Sequence, residues 1–267
     1  MYTNKMASNY YYGAGNTIKV HNDMFPSTFR MLIVGQSGCG KTTLLMKLLL
    51  DKNMLNYDKL YVFAPSLYQK EYEVLKAGFD NQLSKENILY LLNSDDLIDK
   101  TWKGEKPTIE TVAMGLSMTQ KHPSKITAEF HKNEDYIPKP EDLKMDIRNL
   151  IVFDDIMMNR KQSTAESYYT RGRSANCDAI YLSQNYTKLP LHSIRANANF
   201  QIFFKSSNNV VRQLHSEFAS VDMLFKEFQE FCKSAWDKKY GFIVIDFSRD
   251  YNSGNKYRST LELDTKF

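Results

Sequence analysis

The stretch Arg30-Met31-Leu32-Ile33-Val34-Gly35-Gln36-Ser37-Gly38-Cys39-Gly40-Lys41-Thr42-Thr43 decides the fold class. Its first part is a short continuous apolar run, the signature of a strand buried on both faces of a parallel sheet. Gly35 to Gly40 break that run, and residues 41–50 (KTTLLMKLLL) have helix-forming content that ends at Asp51-Lys52-Asn53. Strand, glycine loop and helix follow one another, and Gly35 to Thr42 match G-x-x-x-x-G-K-[ST] at every fixed position. Glycines let successive backbone N–H groups curl round a phosphate, and the helix N-terminus adds its positive end. Lys41 is expected to neutralise the β/γ-phosphates and Thr42 to bind Mg²⁺ through its hydroxyl, with Thr43 the next residue of the helix. Cys39 reads as a small filler.

Working outward, the same buried-strand signature recurs at residues 60–64, 150–153, 179–183, 200–204 and 242–245. Residues 69–92, 162–173, 208–219 and 221–236 read as helices between them. Such alternation predicts an α/β protein with a mostly parallel central sheet flanked by helices. At a typical ~150 residues per domain, 267 residues hold one large domain or two small ones, and one is favoured. Residues 1–28 are polar and tyrosine-rich, with Tyr10-Tyr11-Tyr12, and read as an N-terminal arm, partly mobile or docked on a neighbour. The P-loop domain is then 29–267. Within it, residues 93–144 carry Pro107, Pro123, Pro138 and Pro140 among many polar residues and read as a polar insertion.

Composition narrows the classes further. Hydrophobic residues at 42% and charged residues at 25% exclude disordered, collagen-like and coiled-coil chains. Thirty-five basic against 31 acidic residues leave a net charge of +4, which permits a nucleic-acid partner without demanding one. Cys39, Cys177 and Cys232 are widely spaced, so a disulfide scaffold or zinc ribbon is not expected. No apolar run reaches membrane-spanning length, and residues 1–30 contain no hydrophobic core of a signal peptide. An intracellular protein without a membrane partner is the expectation.

A P-loop needs an acid from a second strand to hold the metal from the other side. Leu150-Ile151-Val152-Phe153-Asp154 supplies one, with Asp154 as the expected metal partner. Asp155, directly after it, is positioned to polarise a water attacking the γ-phosphate, a trait of ATPases rather than signalling GTPases. Guanine recognition by [NT]-K-x-D fails at Thr187-Lys188-Leu189-Pro190, where Pro190 stands in place of the acid. Gln184, at the end of the next strand, is the candidate sensor of the γ-phosphate. Arg171 and Arg173 end the helix that follows the acidic pair, and Arg195 follows Gln184. Any of the three could reach a neighbouring subunit's γ-phosphate, where a planar guanidinium stabilises transition-state charge. Lys188 and His192 are candidates for DNA contact.

The order GQSGCGKTT, KLYVFAPSLYQKEY, NLIVFDDIM, YYTRGRSANCDAIYLSQNY and IRANANF resembles the poxvirus-type genome-packaging ATPases of the FtsK–HerA superfamily, especially those of virophages and polinton-like viruses. The likeness spans roughly residues 28–250. Many members of that superfamily carry Asp-Glu where this chain has Asp154-Asp155. The resemblance implies a RecA/FtsK-like core, a pentameric or hexameric homo-oligomeric ring, and ATP-driven translocation of double-stranded DNA, independent of sequence, into a capsid. It also implies docking at a capsid vertex, at the host-cell site of virion assembly and in the virion. A helicase or other nucleic-acid-remodelling ATPase shares these motifs, and so does an ATP-binding DNA or capsid adaptor with little turnover.

Overall fold

The computed structural model describes residues 10–13, 16–94, 107–133, 136–156 and 162–263. A hairpin of β1 (Tyr10–Gly13) and β2 (Asn16–Lys19) comes first. There follow β3 (Arg30–Val34), α1 (Lys41–Leu50), β4 (Lys59–Phe63), α2 (Lys70–Asp80), α3 (Lys85–Asn93), α4 (Ile109–Thr119) and β5 (Thr127–His131). The rest are β6 (Asn149–Asp154), α5 (Ser163–Arg171), β7 (Cys177–Ser183), β8 (Phe200–Phe204), α6 (Asn208–Leu214), α7 (Phe225–Trp236), β9 (Phe242–Asp246) and β10 (Tyr257–Arg258). β3 to β10 form one eight-stranded sheet in the order β10-β9-β8-β3-β7-β6-β4-β5. From β8 to β5 every pairing is parallel, whereas β9 runs antiparallel to β8 and β10 to β9. This is the α/β architecture, with a mostly parallel sheet, that the strand signatures predict.

Side chains alternate across the sheet and divide the core in two. Met31 and Ile33 of β3, with Leu150 and Val152 of β6, meet Leu45, Leu48 and Leu49 of α1 on one face. Leu32 and Val34, with Ile151 and Phe153, meet Tyr168 and Tyr169 of α5 and Phe228 of α7 on the other. Both faces are therefore apolar, which is why the inner strands read as unbroken hydrophobic runs.

Two boundaries differ from the expectation. Residues 20–28, expected in the arm, belong to the body: His21 and Phe25 are buried. The insertion is only partly irregular, because α4 packs Ala113 into the core and β5 extends the sheet beside β4. Thr127-Ala128-Glu129-Phe130-His131 lacks an apolar run because an edge strand keeps water on one flank. Lys59 of β4 pairs with its Glu129 at 2.6 Å. Residues 95–106 and 134–135 of the insertion lie outside the described residues.

Residues 20–28 are pinned by a buried carboxylate. His21 donates from Nε2 to Asp178 at 2.8 Å, its Nδ1 accepting the Asn56 N–H at 3.0 Å. Arg148 Nε donates to the same Asp178 oxygen at 2.6 Å, and the Phe29 N–H donates to the other at 2.8 Å. Burial opposes the charge on Asp178, but His21, Arg148 and these hydrogen bonds outweigh it and hold the carboxyl below its ordinary value. A depressed carboxyl stabilises the fold fully above the ordinary Asp value of 3.8 and loses that contribution as pH falls through the lower folded value. Asp178→Asn, which leaves Arg148 without its anion, is expected to cost about 3–5 kcal/mol in denaturant unfolding at pH 7. A cost below ~1 kcal/mol would mean that the pair contributes nothing net.

Candidate functional site

The loop between β3 and α1 has the shape its glycines permit. Gly38 and Gly40 adopt φ of 74° and 104°, the left-handed region in which a Cβ is strained. Gly40 also sits at the N-cap of α1, which has no side-chain cap, so the first helical N–H groups remain available to an anion. Lys41 folds back over the loop and donates to the carbonyls of Gly35 at 2.7 Å and Gln36 at 2.9 Å. Cys39 is half-buried and packs against the apolar core, and burial raises its thiol pKa, which suits a filler.

β7 lies between β3 and β6, so the acids at the end of β6 face the loop across one strand. Asp154 accepts a hydrogen bond from the Tyr72 hydroxyl at 2.5 Å. Burial raises the Asp154 pKa and Asp155 adds to that, while the Tyr72 bond and Lys41 act in the opposite sense. Asp155 is held at φ 52°, and its Oδ2 accepts from the Gln184 amide at 3.2 Å. Asp tolerates this conformation better than most residues, and strain of this kind gathers at functional sites. A cavity of about 330 Å³ brings Lys41, Thr42, Asp154, Asp155 and Gln184 together, with Ser37, Gly38, Gly40 and Thr43 along its loop side.

The cavity also contains residues that the sequence reading missed. Ser66, Gln69 and Glu71 line it from the segment after β4, and Tyr240 from the turn before β9. The rule that ligands bind beyond the carboxyl ends of parallel strands could have found the first group. Nothing near Tyr240 in the sequence marks it. Among the described residues no group of three or more His, Cys, Asp or Glu side chains could hold a metal by itself. The Thr42 hydroxyl with the Asp154 carboxylate suits Mg²⁺, which takes one or two protein oxygens and completes its shell with phosphate and water.

The arginines separate into two kinds. Arg171 and Arg173 are exposed and precede β7, at the edge of the sheet where the parallel strands begin and opposite the loop. Arg171 reaches Glu141 at 3.5 Å. Arg195 departs from the expectation, since it is 6% exposed and paired with Glu217. Its guanidinium also stacks on Tyr186 at 4.2 Å, whose hydroxyl donates to the same Glu217 at 2.6 Å. Its charge is thus already met within its own subunit. Glu217 lies 22 residues further along, beyond the reach of local sequence reasoning. Lys188 and His192 are exposed on the segment after β7.

Residues 19–121 match the family model described as Poxvirus A32 protein. That span holds the glycine loop, Lys41, and the Ser66 to Tyr72 segment, and it bears out the resemblance to the poxvirus-type packaging ATPases; Asp154, Asp155 and Gln184 lie beyond it. No curated protein matches the chain. Among solved structures, the chain is similar to the genome packaging NTPase B204 from Sulfolobus turreted icosahedral virus 2 in complex with sulfate, at 11% identity and a TM-score of 0.48, covering 86% of this chain and 95% of that one. The same protein in complex with ATP-gammaS gives 13% identity and a TM-score of 0.47, covering 86% and 95%. VirB4 of Thermoanaerobacter pseudethanolicus gives 12% identity and a TM-score of 0.44, covering 84% and 87%.

Proposed function

We propose that this chain is an ATPase that drives double-stranded DNA, without regard to sequence, into the capsid of a virus of virophage or polinton-like type. The convergence of Lys41, Thr42, Asp154, Asp155 and Gln184 on one cavity carries this reading. The likeness of residues 19–121 to the poxvirus family supports the packaging role. Lys41 and the loop N–H groups bind the phosphates. Mg²⁺, held by Thr42 and Asp154, would neutralise charge on the β/γ-phosphates. Asp155 accepts the proton of the attacking water, and Gln184, already bonded to Asp155, ties the position of that acid to the γ-phosphate. DNA contacts go to phosphates, as indifference to sequence requires, with Lys188 and His192 as candidates. The working form is a pentameric or hexameric ring, docked at a capsid vertex where virions assemble. Among the described residues no helix is long and apolar enough to cross a membrane.

Asp155→Asn tests the chemistry. Asn keeps the shape and tolerates φ of 52°, so the turn survives while the base is lost. ATP binding is expected to be unchanged and turnover to fall about 10²-fold or more. Unchanged turnover would make Asp155 a solvated turn residue with no part in the chemistry. Rates with and without double-stranded DNA separate the remaining readings. Strand separation would favour a helicase, and negligible turnover even with DNA would favour an adaptor.

A further inference from the structure

Tyr240 stands at the cavity in a conformation that only its surroundings can explain. It belongs to the turn Lys238-Lys239-Tyr240-Gly241 between α7 and β9, which the Gly241 N–H closes onto the Lys238 carbonyl at 2.9 Å. Gly241 is obligatory there, because a Cβ would lie 2.0 Å from the Ala235 carbonyl oxygen at the end of α7. This close approach leaves Tyr240 at φ 61°, uncommon for an aromatic residue. The residue is nevertheless 58% exposed, so burial does not account for the strain. The ring instead stands against the glycine loop, where a Cβ on Gly40 would meet Tyr240 Cδ1 at 3.3 Å. Lys239 Nζ lies 5.1 Å from the ring centroid.

Sheet order gives that position a meaning. The acids and Gln184 enter the cavity from β6 and β7, on one side of β3. β9 lies two strands away on the other side, and because it runs antiparallel its first residue is at the same edge as the end of β3. A nucleoside triphosphate is a linear ligand. With its γ-phosphate toward Asp155 and Gln184 and its β-phosphate at Lys41, its base leaves the loop on the side of β9. There the wall of the cavity carries an exposed aromatic ring.

We propose that Tyr240 is the platform on which the nucleotide base stacks, so that this cavity recognises a nucleoside triphosphate through a base face as well as through its phosphates. The proposal rests on the nucleotide-site reading above. Every base presents a π-face, so the ring secures affinity without choosing among bases, and ATP and GTP should depend on it alike.

Binding of Mg-ATP, Mg-GTP and inorganic tripolyphosphate to the full chain tests the idea, because tripolyphosphate occupies the phosphate site and has no base. Tyr240→Asn, which accepts the left-handed backbone, is expected to weaken ATP and GTP binding about tenfold or more and to leave tripolyphosphate unchanged. Tyr240→Phe should bind all three as the parent does. Tyr240→Trp should add a fluorescence signal that ATP quenches and tripolyphosphate does not. Equal loss of all three ligands in Tyr240→Asn would show that Tyr240 merely props the glycine loop, and unchanged ATP binding would show that the base goes elsewhere. Either result overturns the proposal while leaving the phosphate-site reading standing. Lys41→Ala keeps the two readings apart: if it binds tripolyphosphate as tightly as the parent, the phosphate-site reading itself fails, and the base platform with it.

Discussion

Lys41→Ala is expected to fold normally and to lose ATP turnover to background. Lys41 makes no buried contact on which the fold depends. Its ammonium donates to two carbonyls of its own loop, Gly35 and Gln36, and the residue is partly exposed, so water replaces those bonds when it is removed. The stability cost should therefore stay within about 1 kcal/mol, the ordinary worth of a solvated hydrogen bond. The loss of function is of another order. In the proposed site Lys41 is the loop's own cation at the β/γ-phosphates, where charge would develop as the γ-phosphoryl group departs, and a positioned charge in such a site contributes several kcal/mol to the transition state. Denaturant unfolding beside a steady-state ATPase assay measures both effects. Wild-type turnover in the variant would remove the glycine loop from the chemistry.

The second large effect is expected of the proposed ring. Neither Arg171→Ala nor Arg173→Ala touches the chain's own cavity, because both residues precede β7 whereas Gln184 follows it, about 20 Å away along a strand of this length. If either arginine completes a neighbour's site, its removal should cut turnover by about 10³ to 10⁵. Mixing that variant with Lys41→Ala should restore activity, because some interfaces then pair an intact loop with an intact arginine. Neither homo-oligomer contains such an interface. Subunit exchange is established first by mass measurement of mixed rings, and the assay is run with DNA so that assembly on the substrate is possible. Absence of recovery for both arginines would point to a monomeric or cis-acting ATPase. Arg195 serves as the contrasting case: buried against Glu217 and Tyr186, it should lower stability when replaced, and mixing should rescue nothing.

The sequence by itself determined the parts whose physics is local. The glycine loop is legible because its glycines, Lys41 and Thr42 fall within eight consecutive residues. The inner strands are legible because both faces of a parallel sheet are covered, so each strand must be apolar throughout. Asp154, Asp155 and Gln184 could be named because strand ends are where a parallel sheet presents its chemistry. Tertiary structure alone decided what depends on partners far apart in the chain. β5 escaped notice because an edge strand need not be apolar, and residues 20–28 read as an arm because Asp178, which pins His21, lies 157 positions further on. The Tyr72 hydroxyl reaches Asp154 across 82 positions, and Tyr240 meets Gly40 only because β9 folds back to the edge where β3 ends. Periodicity and motif spacing report short-range constraints, whereas these contacts arise when strands distant in sequence are laid side by side.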